Sequence, residues 1–237
     1  MRQAQSEAAA PPAHAWLRRG RRSILRTDLF AHHPTFGDRL KPAPILLCAL
    51  LLASPARADW KPIEKIDTYA VSGESAEQLY LSIGEKGPAV GADGNARRVI
   101  AHTFFKLTWQ RDYQPQGGAC VLKSARPKLI ITYTLPKPVG KLPPALQARW
   151  DTFSAGLIAH EKVHGAGIVD MVDKIVAFST GLTAEDDPGC KKVRAKLTTY
   201  LDQLSKAQRQ GSRDFDKVEF GPEGNMLKLI AAFLGGG

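Results

Sequence analysis

The hydrophobic pattern of this 237-residue chain changes its period at Pro136, and that change limits the folds open to it. Before Pro136, apolar and β-branched residues alternate or run continuously, as they do in strands, and the clearest example is Val99–Gln110. After a Pro-rich connector, apolar residues recur every three or four positions from about Ala145 to Gly181, which predicts one long helix. A strand-rich half followed by a helix-rich half favours an α+β domain, with an antiparallel or mixed sheet and helices on one face.

The same patterns predict shorter elements on both sides of this change. They are a strand over Lys65–Ser72, a short helix over Glu77–Ser82 with Ser75 as its cap, a loop over Gly84–Arg98, strands over Cys120–Lys123 and Leu129–Leu135 with Pro127 as a break, a second helix over Lys191–Gln208, an irregular stretch over Gly211–Gly224, and a last helix or strand over Met226–Leu234. Together they give one domain, long enough to bury its own core.

Residues 1–58 have the features of a basic extension followed by an export signal. This segment holds nine of the 33 Lys and Arg residues and three of the 23 acids, so the high net charge belongs partly to it and does not indicate nucleic-acid binding. An apolar run at 45–53 follows Arg39 and Lys41 and precedes small residues at 56 and 58, the order of a secretory signal. A membrane span needs about 20 apolar residues, so the run at 45–53 is too short to cross a membrane. We expect cleavage after Ala58, leaving 59–237 as one domain that is periplasmic or secreted and has no stable membrane span; a membrane anchor or a core segment is the alternative.

Two cysteines remain after the expected cleavage, Cys120 and Cys190, because Cys48 lies in the signal. An oxidising compartment favours a disulfide between them. Closing a loop of about 70 residues stabilises a fold by roughly 4 kcal/mol when only loop entropy is counted. The alternative is a pair of free buried thiols.

The long predicted helix contains His160-Glu161-Lys162-Val163-His164, an H-E-x-x-H motif. Residues four apart lie on one helical face, so two imidazoles at this spacing can bind one zinc ion at about 2.0–2.1 Å. Glu161 follows one step round the helix, where its carboxylate can take a proton from zinc-bound water. Residues 59–237 contain three histidines, and two of them are in this motif. The alternative is a solvated polar patch on a helix.

Zinc needs a third protein ligand, and the residues offer several. Asp170 completes the longer metzincin pattern only if the helix breaks at Gly165 or Gly167, since in a continuing helix it points away. The other candidates are the acidic loop Glu185-Asp186-Asp187, Asp214, Asp216 and Glu219, and the last two stand among apolar residues. His102 lies in a predicted strand, and we interpret it as a packed histidine rather than a ligand.

The order of these segments resembles a bacterial domain family of unknown function whose members are described as predicted secreted zinc-dependent proteases. The resemblance covers about residues 63–220 and rests on Tyr69-Ala-Val-Ser-Gly73, Gly87-Pro88, Phe105-Lys-Leu-Thr-Trp109, Tyr113, Cys120, Leu135-Pro136, Trp150-x-x-Phe153, the H-E-x-x-H motif and Cys190. It implies a zincin-like fold with an inward-facing motif. It also implies a Tyr-Asp pair followed by a His-Gly pair. Phe215-Asp216 resembles the first pair and no histidine follows, so Glu219 is assigned to its place, a lost ligand being the alternative.

We therefore expect an exported zinc metallopeptidase that hydrolyses peptide bonds, with Glu161 as catalytic residue and His160, His164 and Glu219 as zinc ligands. The expected partner is a peptide or protein substrate in the cell envelope, which would pair by strand addition with Leu129–Leu135 as the edge of the sheet. Two other functions stay open, a weakly active or inactive zincin-fold protein that binds an envelope partner, and a zinc amidase acting on cell-wall peptide. A complete three-ligand site with an open position would favour catalysis.

Overall fold

A computed structural model describes residues 60–91 and 96–235, so the expected signal and its cleavage site lie outside the described residues. The elements of the described residues are β1 (Ile63–Val71), α1 (Ala76–Lys86), β2 (Ala89–Val90), β3 (Arg97–Arg98), β4 (His102–Gln116), β5 (Ala119–Pro138), α2 (Pro144–Ser179), β6 (Leu182–Ala184), α3 (Lys191–Glu219) and α4 (Asn225–Leu234). In this part of the chain, no helix combines the length and apolar character that crossing a membrane requires.

The main sheet is mixed, and β5 is its central strand. Strand β1 pairs with β5 in parallel along Ile130–Pro138, and β4 pairs with it antiparallel along Ala119–Thr134. The short strand β6 joins the first residues of β5, while β2 and β3 pair only with each other. The α+β class predicted from the change of period is confirmed.

Two expectations about β5 are wrong. Pro127 does not break the strand, which continues through it for 20 residues. Strand β1 pairs with β5 only from Ile130 onward, so Pro127 lies where β4 is the partner on one side, and the missing N–H is tolerated there. Leu129–Leu135 lies between β1 and β4 and is not an edge. Among the described strands, β1 and β4 are each paired only with β5, so the other side of β4 is an open edge of the sheet.

Helix α2 is 36 residues long, as the apolar period predicts, and it packs against two separate apolar clusters. Its first half, up to Leu157, packs against residues of α1 and α4. Its second half, from Ile168 onward, packs on β5. Burying each large apolar side chain stabilises the fold by about 1.5–3 kcal/mol. The motif at 160–164 therefore lies between the two clusters.

Helix α3 is longer than the sequence predicts. We expected it to end near Gln208, but it continues through Gly211 to Glu219. A methyl group at Gly211 would meet no atom within 4 Å, so this glycine only weakens the helix, by about 1 kcal/mol, and does not end it. The extra turns carry Asp216 and Glu219 to the motif on α2.

The predicted disulfide is present between Cys120 and Cys190, with an S–S distance of 2.03 Å. It joins the start of β5 to the residue before α3. Both cysteines are buried in a third apolar cluster, together with Leu122, Val193 and Leu197. The cross-link thus fixes the beginning of α3 to the sheet.

Candidate metal and active site

His160 and His164 lie one turn apart on α2, as the i, i+4 spacing requires. Their Nε2 atoms are 3.2 Å apart. Oδ1 of Asp216, from α3, lies 3.2 Å from Nε2 of His160 and 2.9 Å from Nε2 of His164. Two imidazole nitrogens and one carboxylate oxygen therefore converge, and these three residues form the one such group of possible metal donors among the described residues.

The spacing of these donor atoms fits a small divalent ion. Zinc binds nitrogen and oxygen at about 2.0–2.2 Å in tetrahedral geometry, which places neighbouring donors about 3.3 Å apart. The three observed separations lie at or slightly below that value. The side chain of Asp216 is 46% exposed whereas that of His160 is 5% exposed, so the cluster is buried at its base and open on one side.

Glu219, the ligand predicted from the sequence, lies on the other side of His160. Its Oε2 is 3.9 Å from Nδ1 of His160, and its Oε1 accepts a hydrogen bond of 2.9 Å from the Asn225 amide. The structure thus brings Asp216, rather than Glu219, to the two Nε2 atoms. Nδ1 of His160 is buried and has no hydrogen-bond partner in the described residues. A carboxylate beside the second ring nitrogen is the usual partner that orients a metal-binding histidine.

Three other candidates are not part of the cluster. Asp170 forms an exposed ion pair of 2.6 Å with Lys174, because α2 continues straight through Gly167. Asp214 accepts a hydrogen bond from Gln210 on the exposed face of α3. His102 lines the same cleft as the motif but contributes no atom to the three-donor group.

The acidic loop at 185–187 has a structural role at Asp187. This residue is buried, and its carboxylate accepts the backbone N–H of Val193 at 3.0 Å, which caps the start of α3. Burial raises the pKa of Asp187, but hydrogen bonds from the backbone of residues 191–193 lower it overall. Asp187 thus anchors the far end of the helix that carries Asp216.

Glu161 is buried, 5% exposed, and is held by a residue that the sequence does not point to. The hydroxyl of Thr103, at the start of β4, donates to the Glu161 carboxylate at 2.5 Å. Among the described residues, no Lys or Arg pairs with this carboxylate. Thr103 and Glu161 are 58 positions apart, and only the packing of α2 beside β4 brings them together.

Aromatic rings of α3 and its end surround the two imidazoles. The ring of Phe215 stacks on His160 at 4.9 Å and meets His164 edge-on at 5.3 Å. Phe220 meets His160 edge-on at 5.5 Å. These contacts restrict rotation of the rings and make the surroundings of the donors apolar, which strengthens their interaction with a charge.

The charges of the cluster are coupled. Burial lowers the pKa of His164, but the hydrogen bond and the negative charge of Asp216 raise it overall. Burial also raises the pKa of Asp216, and hydrogen bonds from His160 and His164 bring it well below its usual range. Asp216 is therefore an anion between two imidazoles. Metal ligands bind in their deprotonated forms, so a metal at such a cluster displaces protons.

The cluster and Glu161 face one cleft of about 890 Å³ between β4, α2 and α3. One wall is the segment 97–103, which leads from β3 into β4. The Tyr69 hydroxyl donates to the carbonyl of Ile100 at 2.6 Å, and the backbone N–H of Val99 donates to the carbonyl of Pro88 at 3.0 Å. This wall is thus fixed to β1 and to the end of α1.

Comparison with protein families matches residues 66–224 to a family described as bacterial protein of unknown function (DUF922). The chain belongs to this family. The DUF922 match spans the cleft wall, the motif helix and the part of α3 that carries Asp216 and Glu219. Neither the curated proteins nor the solved structures match the chain.

Proposed function

We propose that this DUF922 protein is an exported zinc metallopeptidase with a zincin-like fold that cleaves peptide bonds in the cell envelope. The observation that supports this most is that a buried carboxylate, Glu161, shares one cleft with a cluster of three metal donors. His160, His164 and Asp216 would hold the ion. When bound, zinc polarises a carbonyl and lowers the pKa of a coordinated water to about 7. Export is supported by the signal-like segment before residue 59 and by a disulfide suited to an oxidising compartment.

Glu161 is the proposed acid–base residue. Its carboxylate takes one proton from the attacking water and gives it to the leaving nitrogen, so that the C–N bond breaks to give a carboxylic acid and an amine. The Thr103 hydroxyl holds that carboxylate in one orientation, which proton transfer to a defined atom requires. Glu219, whose carboxylate lies beside Nδ1 of His160, is the proposed residue that orients the His160 ring.

The open edge of β4 is the proposed binding surface for the substrate backbone. Its first residues, His102 and Thr103, line the cleft beside Glu161. An extended peptide that adds to this edge gains backbone hydrogen bonds and lies across the donor cluster. Strand β4 thus replaces Leu129–Leu135 as the strand edge proposed to bind the substrate.

The test compares zinc content and hydrolysis of quenched fluorescent peptides by the wild-type protein and three variants. We expect Glu161→Gln to keep zinc and to lose turnover by about 10²–10⁴-fold. His160→Ala should lose zinc. Asp170→Asn, a matched change on the exposed face of the same helix, should keep both zinc and turnover.

Equal turnover by wild type and Glu161→Gln would exclude the mechanism. Zinc binding by the wild type without hydrolysis of any peptide would favour an envelope binding protein. Hydrolysis restricted to cell-wall peptide would favour the amidase.

A further inference from the structure

We propose that the cleft selects acidic peptide segments, and this inference rests on the proposed peptidase function. Four cationic side chains line the cleft, Arg97 and Arg98 on the β3 wall and Arg213 and Lys217 on α3. Among the described residues, the acidic side chains of the lining are Glu161 and Asp216, both already bound within the site. Apart from the site itself, the charged side chains that these described residues contribute to the lining are therefore positive on both sides.

These four cations are exposed and lack an acidic partner in the described part of the chain. Two lysines on the outer faces of α2 and α3 are paired instead, Lys174 with Asp170 and Lys206 with Asp202, both at 2.6 Å. Unpaired like charges on facing walls repel one another, and an acidic ligand between them removes that repulsion.

The structure also holds two of the four cations, Arg98 and Arg213, in place before a ligand arrives. Nη1 of Arg98 donates to the carbonyl of Gly87 at 2.6 Å. A side chain at Gly87 would collide with the carbonyl of Val99, so this turn and the β3 wall are closely packed. On α3, Arg213 donates to Gln210 and lies one turn before Lys217, which places both on one face. Prior ordering of the side chains reduces the entropy lost on binding.

The cleft favours an acidic peptide over a phosphorylated polymer. Accessible apolar residues also line it, among them Val99, Ile100 and Phe220, and the open edge of β4 can pair with an extended backbone. A peptide supplies apolar side chains and backbone hydrogen bonds as well as carboxylates. A phosphorylated polymer supplies charge and hydrogen-bond acceptors, but no backbone N–H groups that could pair with a strand edge.

The experiment measures binding in the zinc-loaded full chain carrying Glu161→Gln, so that no turnover is needed. Fluorescent peptides of equal length, with Glu, Gln or Lys flanking a central apolar residue, are titrated by anisotropy at several salt concentrations. We expect the Glu peptide to bind about tenfold more tightly than the Gln peptide at low salt, with the difference shrinking as salt rises. Arg97→Glu/Arg213→Glu, one change on each wall, should abolish the preference. Lys141→Glu/Arg209→Glu changes the net charge equally from exposed sites outside both the cleft and β4 and should keep it.

Equal affinity for the Glu and Gln peptides, or the same loss in the control pair, would overturn the proposal. Polyphosphate that displaces the Glu peptide more effectively than excess unlabelled Glu peptide would also overturn it. The neutral pair Arg97→Gln/Arg213→Gln, checked by circular dichroism, gives the same comparison if charge reversal disturbs folding. Preferential binding of the Glu peptide without wild-type cleavage would refute the peptidase and leave the selectivity standing. Equal cleavage and equal binding of all three peptides would support the peptidase and refute the selectivity.

Discussion

The two carboxylates of α3 near the motif have different relations to the same imidazole. Asp216 and Glu219 are three positions apart, so both face α2, but one turn of helix separates the points they reach. Asp216 meets the Nε2 atoms of both histidines, whereas Glu219 lies near Nδ1 of His160. A residue that binds the ion and a residue that only positions a histidine should respond differently to replacement.

Asp216→Ala should therefore abolish stoichiometric zinc binding, because two imidazoles alone do not complete a site. Glu219→Gln should keep zinc with an affinity about 10–100-fold lower, since it changes only the environment of His160. Asp214→Asn, an exposed change on the same helix, should have no effect. Competition with a chromogenic chelator measures all three. Zinc lost in Glu219→Gln but kept in Asp216→Ala would restore Glu219 as the third ligand.

The sequence predicts only the local part of this site. His160, Glu161 and His164 follow from one helical face, which five residues define. The position of Asp216 depends on how α3 crosses α2, and Thr103 depends on how β4 lies beside α2. No spacing along the chain encodes either distance, so residue types alone left the third donor open.

At the scale of elements, α2 lies very close to β5 directly after the motif. An alanine methyl at Gly165 would be 2.2 Å from the Tyr133 hydroxyl, which is already fixed by a 2.6 Å hydrogen bond to Glu64. Gly165→Ala should destabilise the fold by about 1–3 kcal/mol through overpacking. Gly167→Ala, two residues on, meets no atom within 4 Å and should stabilise the helix by about 0.5–1 kcal/mol. Urea unfolding compares the two, and a higher midpoint for Gly165→Ala would contradict the packing described.

Single proline and glycine residues are poor predictors of where a helix or strand ends in this chain. The apolar period is a better predictor of which elements form. The period gave the long helix from about Ala145, and it begins at Pro144. Pro127 was expected to separate two strands, and the stretch from Gly211 was expected to be irregular, yet β5 and α3 continue through these residues. Each breaker has a small local free-energy effect, and pairing with β4 or packing against α2 outweighs it. The error mattered at Gly211, because it hid the helical face that carries Asp216.

At the scale of the whole molecule, the disulfide encloses the entire motif helix. Cys120 and Cys190 are 70 positions apart, and α2 lies between them in the chain. A loop of this size restricts the unfolded chain, so its closure favours the folded state. Asp216 lies 26 residues beyond Cys190, about 39 Å along the α3 axis, so the cross-link does not contact the donor cluster.

Removing the disulfide should therefore lower stability without changing the site. Cys120→Ala/Cys190→Ala should lose about 2–5 kcal/mol of unfolding free energy, and reductant should lower the melting temperature of the wild type but not of this variant. Below its melting temperature, the folded variant should bind zinc with unchanged stoichiometry, because α3 is also held by the Asp187 cap and by its packing on α2. Zinc lost from a variant that is still folded would mean that the cross-link sets the position of Asp216 directly. In that case α3 would depend on its covalent anchor rather than on packing for the alignment of the third donor.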